Sequence, residues 1–195
     1  MSKACDAWQT EILDAGLIPE GLVSDVSQKH APFEWKQDKA NYPFSDVLEM
    51  AKLAGEGKAE NLSRLQAGLE NGNAVIRFWA TMGCVNLGEA AKPAAGELTT
   101  LLKDDVADVR VNAAEALVLI GQEKQGLDAL IKEAPGTNEW AAVRALNALD
   151  ELGEATRPVI PALKQIMQSD QKNKYIPRTA NHILNKLLGT ENRVK

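Results

Sequence analysis

Glycines recur in this chain with a spacing of about one helical hairpin. Gly88, Gly121, Gly153 and Gly189 stand 33, 32 and 36 residues apart, and each follows a leucine or isoleucine by no more than one step. After Gly88 the chain reads Glu89-Ala90-Ala91-Lys92-Pro93, and after Gly153 it reads Glu154-Ala155-Thr156-Arg157-Pro158. An arginine stands eleven residues before three of the four glycines, as Arg77, Arg110 and Arg178. The third unit departs from this register, with Ala142 in the aligned place and Arg144 two residues later. A period of 32 to 36 residues is the mark of a repeat architecture, in which no unit buries its own apolar face and neighbours must stack.

Each unit reads as two helices. In the second, Pro93 suits the first turn of a helix running to Leu102, because its missing N–H is one a helix start leaves unused. Asp104 and Asp105 supply turn and N-cap chemistry. Val109, Ala113, Ala116, Leu117 and Ile120 then recur at steps of three and four, so they share one helical face, and Gly121 suits the left-handed residue that ends it. This predicts an all-α chain: a repeat domain over 57–195, with units of roughly 58–89, 90–122, 123–154 and 155–189, behind a lead-in over 1–56. The pattern Asn73 to Gly88 and Asp105 to Gly121, an acidic or amide residue, then Val-Arg or Ile-Arg, then an alanine-rich run into Leu-Gly or Ile-Gly, resembles short HEAT repeats. The resemblance implies an α-solenoid of about four helical hairpins.

The lead-in lacks the repeat. A helix over Ala4–Ala15 ended by Gly16, a break at Pro19 and Gly21, a short stretch from Leu22 to Ser27, a loop, and a helix from Ser45 through Ala54 are the expected elements. Phe33, Trp35, Tyr42 and Phe44 are expected to form a small core over the first hairpin, or to have packed against a further domain. The phrases Asp14-Ala15-Gly16-Leu17-Ile18-Pro19-Glu20, Ala31-Pro32-Phe33-Glu34-Trp35 and Tyr42-Pro43-Phe44, with the repeats behind them, resemble the C-terminal region of certain bacterial sulfatases over roughly Trp8 to Leu163. The resemblance implies an accessory region without catalysis of its own. The family's nucleophile motif, Cys/Ser-x-Pro-x-Arg, and its calcium site have no counterpart here, since Cys5 precedes Asp6-Ala7-Trp8-Gln9 and Cys84 precedes Val85-Asn86-Leu87-Gly88. It also implies a protein partner, a sulfatase-like catalytic domain, with a sulfated glycan as a second candidate. Such families are usually exported, and the compartment of this chain stays open.

Chemistry read from the residues alone is sparse. His30 and His182 lie far apart without metal-ligand spacing and are assigned structural roles, and Cys5 and Cys84 are expected to be free thiols, Cys84 inside a buried helix. No cofactor or metal is expected. The apolar run Ala116–Ile120 is far too short to span a bilayer, and Met1 to Thr10 lacks the apolar core of an export signal. Charge is uneven: residues 156–195 carry eight basic and two acidic side chains, and the first 155 carry 14 and 25. The basic end makes Lys172, Lys174, Arg178 and Lys186 candidate contacts for an anion or acidic partner, although a solvated capping unit gives the same pattern. A pI near 5.2 opposes nucleic-acid binding, the alternative that HEAT-like solenoids bring to mind. A small lyase-type enzyme would need a converging acid and base, where the sequence shows only scattered carboxylates. Arg77, Arg110 and Arg144 are expected to ladder with aspartates such as Asp105 or Asp108 and their neighbours. Trp79 and Trp140 are assigned to packing at the starts of second helices, with an exposed tryptophan beside Arg77 as the arrangement that would suit a sugar ring.

Overall fold

The computed structural model describes residues 3–169 and 174–193, and among these the chain is helical with no strand. The lead-in holds α1 (Lys3–Ile12), α2 (Glu20–Ser27), the single turn α3 (Pro32–Trp35) and α4 (Phe44–Glu56). Four helix pairs follow: α5 (Leu62–Leu69) with α6 (Ala74–Leu87), α7 (Ala95–Leu101) with α8 (Ala107–Leu119), α9 (Glu123–Glu133) with α10 (Glu139–Glu151), and α11 (Ile160–Gln168) with α12 (Tyr175–Leu188).

The second helices form one row. α6 packs on α4 and α8, α8 on α10, and α10 on α12, while α5, α7 and α11 pack on the second helix of their own pair and α9 lies against both α8 and α10, chiefly α8. Alanines make this close approach possible: Ala80, Ala113, Ala114, Ala116, Ala142 and Ala145 have no exposed surface. α8 belongs to two cores at once, giving Val111, Ala114 and Val118 to one side and Val109, Ala113, Ala116, Leu117 and Ile120 to the other. The five residues expected to share a face are thus all buried. So are Asp108, Asn112 and Glu115 on the same helix, because α8 has neighbours on nearly every side.

The recurring glycines have positive φ at Gly88, Gly121, Gly153 and Gly189, a backbone region that costs other residues a steric clash. The recurring phrase after two of them does not open an α-helix as expected. It winds into 3-10 turns, Gly88–Ala94 and Gly153–Val159, with Pro93 and Pro158 inside them. The aligned Ala91 and Thr156 are fully buried there. Asp105 caps nothing either: Val106 holds the N-cap place of α8, and Asp104 accepts from its amide at 2.9 Å.

Arginines bind between units, Arg77 through Asp104, the neighbour of Asp105, as expected, and Arg110 through a glutamate in place of an aspartate. Arg77 pairs with Asp104 at 2.6 Å and Arg110 with Glu133 at 2.7 Å, each by a two-pronged bond to the loop side of the following unit.

The lead-in departs most from its sequence-based outline. α1 stops at Ile12, Leu13 takes φ 47°, and Ala15–Leu17 form a 3-10 turn capped by Asp14. Tyr42 and Phe44 join Ile18, Val47, Val75 and Ile76 in a satellite core with Trp35 at its edge, whereas Phe33 is 69% exposed with Lys36 over its ring. The Tyr42 hydroxyl donates to the Asp14 carbonyl at 2.5 Å, and burial pushes its acidity far down. Beyond this core the lead-in continues past the first pair, and α2 rests on α8 and α10.

Candidate functional site

Second helices α6, α8 and α10 begin at equivalent places, so residues at the same turn form rows across them. Counting from each helix start, the second, sixth, ninth and thirteenth positions are separated by steps of four, three and four and share one face. α6 places Val75, Trp79, Met82 and Asn86 there, α8 places Asp108, Asn112, Glu115 and Leu119, and α10 places Trp140, Arg144, Asn147 and Glu151. Most of these side chains line a cleft of about 580 Å³, together with Phe78, Val85, Val143 and Ala148 of the same helices and Gly16–Glu20 of the lead-in.

Two asparagines hold the lead-in there. Asn73 caps α6 with its oxygen, accepting from Val75 and Ile76, and donates through Nδ2 to the Ala40 and Asn41 carbonyls. Asn138 caps α10 in the same way at Ala141, and donates to the Gly21 carbonyl at 2.9 Å and to Asp25 at 2.8 Å. Between them, Trp79 Nε1 donates to the Leu17 carbonyl at 2.8 Å. Gly21 lies so close to Asp108 that a Cβ would overlap the carboxylate.

Arg144 is central to the cleft. Its two-residue shift from the repeat register turns it about 200° around the helix, away from the loops that Arg77 and Arg110 engage. Its Nε and Nη2 donate to Asn112 Oδ1 at 2.9 and 2.5 Å, and the guanidinium lies 5.1 Å from the centre of the Phe78 ring. Asn112, fully buried, donates in turn to the Phe78 carbonyl at 3.3 Å. The expected ladder with Asp108 is therefore replaced here by an amide bridge that fixes the guanidinium without neutralising it.

Carboxyls surround that cation. Glu115 is 6% exposed and accepts no hydrogen bond from a described residue; burial first and the charge of Glu151 second raise its pKa to about 7, against the pull of Arg144. Burial also raises Asp108, while Arg144 and the amides of Gly21 and Leu22 draw it back. Even so, Asp108 Oδ2 closes no hydrogen bond of its own. Titratable groups moved by burial beside a specific charge, inside a cleft, mark a candidate site.

The residues singled out from the sequence lie elsewhere. Lys172 falls outside the described residues; Lys174 and Arg178 are exposed at the start of α12, and Lys186 is held by Asp150 at 2.9 Å, with none of the three lining the cleft. Trp79 is half-buried as assigned, but Trp140 is 54% exposed, and it neighbours Arg144 on α10 rather than Arg77. Cys84 is buried and free, with burial pushing its thiol up to about 12, so it offers no nucleophile at neutral pH. The carboxylates that looked scattered are gathered by the fold. Their signal was the polar spacing Asp108, Asn112, Glu115 inside an otherwise alanine and valine helix, repeated one unit later by Arg144 and Asn147.

No group of three or more histidine, cysteine or acidic side chains among the described residues is arranged to hold a metal ion, and no helix among them is long and apolar enough to cross a membrane. No protein-family model matches the chain, and neither does any curated protein, so its chemistry has to be argued from its own side chains.

Proposed function

We propose that this chain is a non-catalytic interaction module, an α-solenoid of four HEAT-like hairpins whose inner face binds a protein partner. One observation carries the reading: equivalent positions of α6, α8 and α10 combine into one furnished cleft, lined by Trp79, Glu115, Trp140 and Arg144, with the buried Asn112 holding Arg144. Stacked hairpins produce extended concave surfaces of this kind as a geometric result of their small rotation per unit. The lead-in phrases that resemble sulfatase C-terminal regions support a partner of that class, a sulfatase-like catalytic domain to which this module is accessory.

Backbone amide NMR of the whole chain tests this with three probes: a basic peptide, an acidic peptide and a sulfated polysaccharide. The reading expects saturable shifts confined to the inner face, around Trp79, Asn112 and Asn147. Shifts only around Lys174 and Arg178 with the polysaccharide would move the site to the basic end and make a sulfated glycan the ligand. Shifts at neither place with any probe would overturn the cleft as a binding face. A second reading, a small acid-base enzyme, is favoured by Glu115 alone, since a carboxyl near pKa 7 beside a fixed guanidinium is matched to proton transfer. It requires a turnover that Glu115→Gln abolishes.

A further inference from the structure

The charge inside the cleft is lopsided. Glu20, Asp108, Glu115 and Glu151 line it against the single cation Arg144, whose Nε and Nη2 are both directed at Asn112. A carboxylate removed from water without a partner is among the most expensive groups a fold can hold. Asp108, 3% exposed, has its Oδ2 left as a buried acceptor open in the cleft, and Glu115, 6% exposed, lines the same cleft beside Arg144 and Glu151. Beside Glu115 the cleft is walled by apolar Met82, Val85 and Ala148, with the exposed Glu151 next along the row. Acids set among apolar side chains in one cleft suit a cationic head on an alkyl stem.

We propose that the cleft is a binding site for the lysine or arginine side chain of a partner protein, with the Glu115 and Glu151 carboxylates as its charge partners. This rests on the reading of the chain as an interaction module and names what that module recognises. A peptide is a better fit than a free amine because the same face already holds one: Trp79 and Asn138 grip the lead-in through its main-chain carbonyls at Leu17 and Gly21. The incoming cation would satisfy Glu115 and relieve its repulsion with Glu151, and an anionic group would meet four carboxyls instead. Binding is also coupled to protonation. Glu115 shares the cleft with Glu151 and Arg144 of α10, Asp108 of its own helix and Glu20 of the lead-in, while α6 lines it with the uncharged Phe78, Trp79, Met82, Val85 and Asn86. Affinity therefore falls as pH drops below about 7, where Glu115 takes up its proton.

Calorimetric titration of the whole chain at pH 7.5 and near-physiological salt tests this with a blocked arginine heptapeptide, its citrulline counterpart and spermidine. The expected result is binding of the arginine peptide, with the neutral citrulline peptide about tenfold weaker, as for loss of one partly desolvated charge pair. Glu115→Gln and Glu151→Gln should each weaken the arginine peptide by about fivefold to tenfold. Glu154→Gln, an equal charge change at an exposed residue paired with Arg157, should leave it unchanged. Equal affinity for arginine and citrulline peptides, or an equal effect of Glu154→Gln, would overturn the proposal. Tighter binding of spermidine than of the peptide would overturn the assignment to a partner side chain. Were only the acidic peptide or the polysaccharide to shift inner-face amides, the cation would be wrong and the interaction module would stand; if no probe shifts them, both fail.

Discussion

The repeat pairs and the crossing segment of the lead-in through α2 are held by different forces. α7 to α10 interlock through Ala113, Ala116, Leu117, Leu130, Ala145 and Leu146, none with exposed surface, and the favourable term is apolar area withdrawn from water. Within the lead-in, α4 packs on α6 as a repeat helix would, and Tyr42 and Phe44 share a core with Val75 and Ile76. The stretch from Leu17 through α2 instead crosses α8 and α10 on hydrogen bonds to its carbonyls, from Trp79 to Leu17 and from Asn138 to Gly21. Packing of the first kind is cooperative along the row. Attachment of the second kind is local and opens at lower free energy than the whole. A surface built by the first and bordered by the second is rigid on one side and adjustable on the other.

Truncating the packed side should have the largest effect. Leu130→Ala on α9, fully buried, is expected to lower global stability by about 3 kcal/mol in urea unfolding, from lost burial and the cavity left behind. A loss confined to α9 and α10 by hydrogen exchange would show that the units are less coupled than their contacts imply. Gly21→Ala strikes the other side, because its methyl must displace the Asp108 carboxylate or lift α2. It should cost about 2 kcal/mol, seen as faster amide exchange in α2 and unchanged exchange in α8. Equal loss in both would mean that the lead-in is part of the main core.

Glu115→Gln acts with the opposite sign. The carboxyl loses its proton at an ordinary value of 4.5 in the unfolded chain and at about 7 in the fold. The native state therefore holds the extra proton between these values, and stability falls as pH rises through that window and stays low above it. Replacing the acid with a neutral amide should raise stability on the order of 2 kcal/mol at pH 8 and have little effect at pH 4. A thermal melt series over pH 4 to 8 that runs parallel for the two proteins would refute the buried charge. The smallest change is Asn138→Ala, expected to cost about 1 kcal/mol through a lost helix cap and to loosen α2 by hydrogen exchange. If α10 frays but α2 does not, the cap matters and the tether to Gly21 does not.

The residues of the cleft were all visible in the chain, yet periodicity pointed past them. A pattern of one arginine per unit makes Arg144 a misplaced member of a ladder, whereas its displacement is what turns it to the cleft beside Asn112. Charge counting led to Lys174, Arg178 and Lys186, which the fold leaves on or near the surface of the last helix. Asp108 reads in the sequence as a rung of the arginine ladder and Glu115 as one more scattered carboxylate, since an acid two turns from another says nothing of what lies across from it.

Sequence alone determined the helical content, the length of the pairs, the glycine stops and the shared apolar face of α8, because these depend on residues within a few turns of each other. Only the tertiary structure decided that Asp108, Glu115 and Arg144 converge and that Gly21 meets Asn138, 117 residues away. Burial and electrostatic coupling are properties of neighbours brought together by folding. A local pattern constrains which face a side chain takes, and the opposing faces decide what it does there.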